Sequence, residues 1–176
     1  MIQRIQSIYL VLALVGLALL FMFPTATFDL VNPQTNTIEA TASLDLVEQA
    51  TTYVETGIEK GITPTFVGQG SVLLMILVIV IAVGTLVSIF LFKNRILQMR
   101  LVALTLVLTL AYIAIVFVST IDGCVADLQA SWPIWTVNMH YGVGTFAPLA
   151  VAVLLFLAQQ AIKKDELKVR AADRLR

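Results

Sequence analysis

One cysteine and one histidine among 176 residues leave little for metal chemistry to work with, and a lone thiol cannot build a disulfide framework within the chain. Charge is scarce too: 12% of the residues are Asp, Glu, Lys or Arg, against about 25% in soluble domains. Eleven basic residues balance eleven acidic ones, so no positive excess points to nucleic acid. There is no phosphate-binding glycine loop, no Ser/His/Asp arrangement and no internal repeat. The longest apolar runs lack aspartate, glutamate and histidine altogether, which argues against a self-contained proton-driven transporter.

What the chain does have is apolar surface. Hydrophobic residues make up 59% of it and the mean hydropathy is +0.94, more than a single water-soluble globule of this size can hide. Four runs, 5–23, 72–92, 96–118 and 143–162, are long enough to cross a hydrocarbon core about 30 Å thick as helices. Their only ionisable side chain of the usual charged types is Arg100, one turn inside the third run, where it can snorkel to the interface. None alternates polar with apolar as a barrel strand would. The expected fold is an all-α membrane protein: one domain, 1–176, forming a four-transmembrane-helix antiparallel bundle, with loops 24–71 and 119–142 on one side and a tail, 163–176, on the other.

Positively charged residues resist translocation, so their distribution sets the orientation. Arg4, the group Lys93, Arg95 and Arg100, and the tail residues Lys163, Lys164, Lys168, Arg170, Arg174 and Arg176 include every basic residue except Lys60. Four crossings bring them all to one face. The acids Asp29, Glu39, Asp45, Glu48, Glu55, Glu59, Asp122 and Asp127 fall on the other. Both termini are therefore expected in the cytoplasm. A cleaved signal peptide ending near Ala26 is the rival for the first run, but that run is long for one and Pro24 occupies a position that wants a small residue. Lys164-Asp165-Glu166-Leu167 spells a retention signal that is read only at a C-terminus.

The first loop has strand character. Phe28-Asp29-Leu30 is followed by turn residues 32–36, and then Ile38, Ala40, Ala42, Leu44 and Leu46 alternate with polar neighbours. Thr51 to Val54 offers another strand, and 133–141 alternates weakly and could pair with these. The expectation is a small extracytoplasmic β-hairpin or sheet built from the outer loops. Trp132, Trp135 and Tyr141 suit an interfacial aromatic belt. The tail should continue as a charged helix, with Leu167, Ala171 and Leu175 on one edge.

Candidate chemistry is thin. Asp122, Cys124, Asp127 and His140 are the one set resembling metal ligands, without the paired short spacings of a metal motif. A Cys124/His140 nucleophilic pair rests on residue type alone. Thr105, Thr109 and Tyr112 share a helix face that could line a water path, though polar stripes more often join helices. Gly84 and Ser88 form a small-xxx-small step, and Gly142, Gly144 and Pro148 should loosen or kink the start of the last helix.

Specific strings then accumulate: Met1-Ile2-Gln3-Arg4-Ile5-Gln6; Phe92-Lys93-Asn94-Arg95 with Leu97-Gln98; Tyr141-Gly142-x-Gly144 with Pro148-Leu149; Lys164-Asp165-Glu166; and Val169-Arg170-Ala171-Ala172-Asp173-Arg174-Leu175-Arg176. Together they resemble the bacterial four-span membrane family known as domain of unknown function 4293, from one end of the chain to the other. The resemblance implies an integral inner-membrane protein and supplies no activity, cofactor or catalytic residue. Most of the matched strings lie on the face expected to be cytoplasmic. The leading functional expectation is therefore a non-enzymatic protein in the lipid bilayer. Its inner face, with Arg95, Arg100, Arg174 and Arg176 as contacts and Asp173 orienting one of them, would dock a cytoplasmic or membrane protein partner or anionic lipid. Two alternatives stand beside it: an extracytoplasmic metal or redox site on the outer loops, and a small pore or transporter subunit.

Overall fold

Residues 3–46, 49–52, 71–131, 133–134 and 136–174 are described by the structure, a computed structural model. Their elements are α1 (Gln3–Leu19), β1 (Ala26–Val31), β2 (Ile38–Leu44), β3 (Gln49–Thr52), α2 (Ser71–Phe90), α3 (Arg95–Ile115), α4 (Ile121–Ser131), β4 (Thr136–Tyr141) and α5 (Val143–Arg174). They cluster into two compact units. One holds residues 1–18, 76–113 and 147–176; the other holds 19–75 and 114–146.

In the helical unit every helix buries a stripe of the same spacing, alternating steps of four and three residues. In α1 the stripe is Gln6, Leu10, Ala13 and Leu17; in α2, Val78, Ile81, Thr85 and Ser88. In α3 it is Gln98, Val102, Thr105, Thr109 and Tyr112, and in α5, Val151, Leu155, Ala158, Ile162 and Asp165. Such 4–3 stripes are the seams of left-handed helix packing. Small residues bring the helices close: a Cβ on Gly16 would lie 2.7 Å from Val151 Cγ2, and one on Gly84 2.6 Å from Thr105 Cγ2. The first pair joins α1 to α5 and the second joins α2 to α3.

Apolar side chains also face outward, while several polar ones are buried. Thr85, Ser88, Gln98, Thr105 and Thr109 are buried, while Val72, Leu73, Ile76, Ile79, Val80, Val83, Leu86 and Phe90 of α2 face outward. Only 28% of the apolar window of α2 is buried. Three helical stretches, Val72–Phe90, Arg95–Ala130 and Val143–Val169, are long and apolar enough to cross a membrane; a shorter apolar helix covers Ile5–Leu19.

The other unit contains one antiparallel sheet, in the order β3-β2-β1-β4. Strands from both of the segments read as loops therefore join it. Ala26, Phe28 and Leu30 of β1 and Ala42 and Leu44 of β2 point to its buried face, as strand alternation requires. The β1–β2 turn is held by Asn32. Its Oδ1 accepts from Gln34 N at 3.0 Å, its carbonyl accepts from Asn36 N at 2.8 Å, and Asn36 takes a positive φ of 54°. Asparagine tolerates that left-handed backbone better than most residues.

Two expectations need correction. The first helix ends at Leu19 rather than reaching residue 23; a turn follows, in which Met22 N and Phe23 N both donate to Leu19 O, and Pro24 disfavours helical backbone at Phe23. The third apolar run does not end at 118 in a loop. A π-helical turn, Val116–Thr120, carries the chain from α3 straight into α4, which occupies Ile121–Ser131. Ile121, Cys124 and Leu128 supply the buried face of α4 at helical spacing. α5 runs from Val143 to Arg174 with Pro148 inside it, so the tail continues as a helix as its sequence indicated.

The glycines before Pro148 serve a close backbone approach. Gly142 N donates to Thr25 O at 2.9 Å and Gly144 N to Pro24 O at 3.0 Å. A Cβ on Gly142 would lie 2.2 Å from the Pro24 carbonyl oxygen. Thr145 Oγ1 also donates to Thr25 O. This clasp fixes the start of α5 against the entry to β1.

Candidate functional site

Polar side chains converge at one end of the helical unit, where α2 turns into α3 and α5 carries its first charges. The connection is short: a 3-10 turn, Leu91–Lys93, then Asn94, whose N–H donates to Leu91 O at 3.0 Å. The last carbonyls of a helix have no partner within it. Gln98 supplies one, donating from Nε2 to Ser88 O at 3.0 Å from a fully buried position. Gln6 of α1 donates its side-chain amide to Asp165 Oδ2 of α5, and both residues are buried.

Beside Asp165, Glu166 lines a recess of about 420 Å³ together with Asn94, Arg95, Ile96, Leu97 and Arg100. Four of these six residues are the N-terminal approach and first turn of α3. The N–H groups there lack intrahelical acceptors and form the positive end of the helix dipole. No acidic residue stands in that first turn. Arg95 Nη1 is buried with no hydrogen-bond partner, while Arg100 is exposed. Two cations, a positive helix end and one carboxylate thus share one concavity.

Of the expected docking residues, the structure brings Arg95 and Arg100 together. Asp173 and Arg174 lie on the last turn of α5, with side chains outside the described residues, and Arg176 lies outside them entirely. Gln6, Gln98, Asp165 and Glu166 were missing from that set. For the first three the signal was available: each lies on the 4–3 stripe that its helix buries.

Among the described residues no three His, Cys, Asp or Glu side chains come together. Cys124 is buried on α4. His140 Nε2 instead meets Asp29 Oδ2 at 3.3 Å across β4 and β1, and Asp29 Oδ1 accepts from Thr41 Oγ1 of β2 at 3.2 Å. The Asp127 side chain and all of Trp132 and Trp135 lie outside the described residues. The polar stripe of α3 is a packing seam. Thr105 and Thr109 donate to carbonyls of their own helix, Val102 O at 2.9 Å and Thr105 O at 2.7 Å. They do not supply the interhelical hydrogen bonds that the stripe suggested; Gln98 does.

Comparison with curated proteins found no match. The family model described as "Domain of unknown function (DUF4293)" matches residues 2–175, virtually the whole chain. On that match the chain belongs to the DUF4293 family.

Proposed function

We propose that the chain is an integral protein of the bacterial inner membrane. It crosses the bilayer four times as an antiparallel bundle, keeps both termini in the cytoplasm and works by docking rather than by catalysis. Its basic inner face engages a cytoplasmic or membrane protein partner or anionic lipid. Arg95 and Arg100 make the contacts at the inner turn, and Asp173, Arg174 and Arg176 extend the face along the tail.

One observation carries this reading: the N-terminal string, the inner turn and the tail meet. Gln6 bonds Asp165, and the next residue, Glu166, shares its recess with Arg95 and Arg100. That contact supports same-side termini, and the clustering of basic residues favours the cytoplasm as the shared side. The outward apolar faces of the helices and their buried threonines and glutamine support a lipid environment. α1 is 17 residues long, about 25 Å at helical rise, and Phe21, Met22 and Phe23 extend its exposed apolar length.

The reading is tested by deleting residues 169–176 and crosslinking in the native membrane before a pulldown from detergent extracts. Docking predicts that at least one partner or bound lipid class is lost. An unchanged partner set with unchanged lipid retention contradicts it.

A further inference from the structure

We propose that the recess at the start of α3 is a headgroup site for an anionic phospholipid, built to hold one phosphodiester. The inference deepens the docking reading and rests on it in one respect only, that this end of the helices lies at headgroup depth.

The chemistry of the lining selects the ligand. Asn94, Arg95, Ile96 and Leu97 bring the first turn of α3 into the recess, and backbone N–H groups in such a turn point at an anion and favour its charge. Two guanidiniums, always protonated and able to grip a phosphate with paired N–H groups, stand at the same place. Positive side chains at a positive helix end oppose one another. Here no carboxylate of the first turn relieves them, and Arg95 Nη1 is buried without a partner. A buried donor atom of this kind, on a side chain that is itself partly exposed, is costly until an acceptor reaches it.

Glu166 places one carboxylate in the same recess as the two arginines, which suits a singly charged phosphodiester better than the more highly charged free phosphate. Ile96 and Leu97 are about half exposed beside the arginines, at 50% and 52%, and offer apolar contact to the glycerol and upper acyl carbons of a lipid.

The test uses the full chain purified in detergent, with dioctanoyl phosphatidylglycerol, dioctanoyl phosphatidylcholine and inorganic phosphate as probes and native mass spectrometry or calorimetry as readout. Phosphatidylglycerol should bind at least about tenfold more tightly than phosphatidylcholine. Arg95→Gln and Arg100→Gln should each weaken it by about tenfold or more, the scale of one charge-assisted hydrogen bond. Lys163→Gln, at an exposed lysine outside the recess, should not. If Arg95→Gln does not fold, Arg100→Gln carries the test, because its side chain is exposed. Undiminished phosphatidylglycerol binding in the folded arginine variants overturns the proposal, as does displacement of the lipid by an equal concentration of inorganic phosphate. The chain lacking residues 169–176 keeps the recess and should still bind phosphatidylglycerol. Failure of the tail-deletion test therefore leaves this inference standing, and its own failure is seen in the arginine variants and in the phosphate competition.

Discussion

Gln6 and Asp165, 159 positions apart in the chain, are hydrogen-bonded to each other at buried ends of the α1 and α5 seams. Each sits where its 4–3 stripe would otherwise place another apolar residue. Removing one partner leaves the other buried without its bond, which costs about 1–3 kcal/mol. Gln6→Leu and Asp165→Leu should each lower the thermal unfolding midpoint in detergent. The double variant should recover part of the loss, since two apolar side chains complete the seam. Additive losses would contradict the pairing.

Gly142 and Gly123 predict opposite responses to alanine. A Cβ on Gly142 would meet the Pro24 carbonyl oxygen, which cannot retreat without breaking the hydrogen bond it accepts from Gly144 N. A loss of about 2 kcal/mol or more is expected. Gly123 lies within α4, where an added Cβ would meet nothing within 4 Å, so Gly123→Ala should gain about 0.5–1 kcal/mol from helix propensity. Thermal unfolding of the two variants side by side reads both signs.

Gly84→Ala should be destabilising by about 1–3 kcal/mol, because the Thr105 methyl occupies the space a Cβ would need and Thr105 is fully buried. Thr105→Ser removes that methyl while keeping the hydroxyl that bonds Val102 O. The double variant should therefore be more stable than Gly84→Ala alone. If it is not, the α2–α3 contact is not at this step.

Much of this architecture was legible from the sequence. Hydropathy located the apolar helices, Asn32 and Asn36 located the turn between β1 and β2, and alternation in 133–141 anticipated β4 beside the strands of the first segment. α4 was not legible as a helix because Asp122-Gly123 and the fall in hydropathy imitate a loop; its buried face needs only Ile121, Cys124 and Leu128. The polar end of the helical unit was hidden for a different reason. Spacing can say that Gln6, Gln98 and Asp165 lie on buried stripes, but a bond between Gln6 and Asp165 depends on how helices pack, which local pattern does not encode. Gly142 and Gly144 read as a helix loosener because their true role, backbone contact with residues 23–25, is also nonlocal.

The central claim is that both ends of the chain share the cytoplasmic side. Paired reporter fusions, one active only in the cytoplasm and one only outside it, placed at the N-terminus, at the C-terminus and within residues 53–70, test it most directly. Cytoplasmic signal at both termini and external signal from 53–70 are the expected result. Termini reporting from opposite sides of the membrane would contradict it.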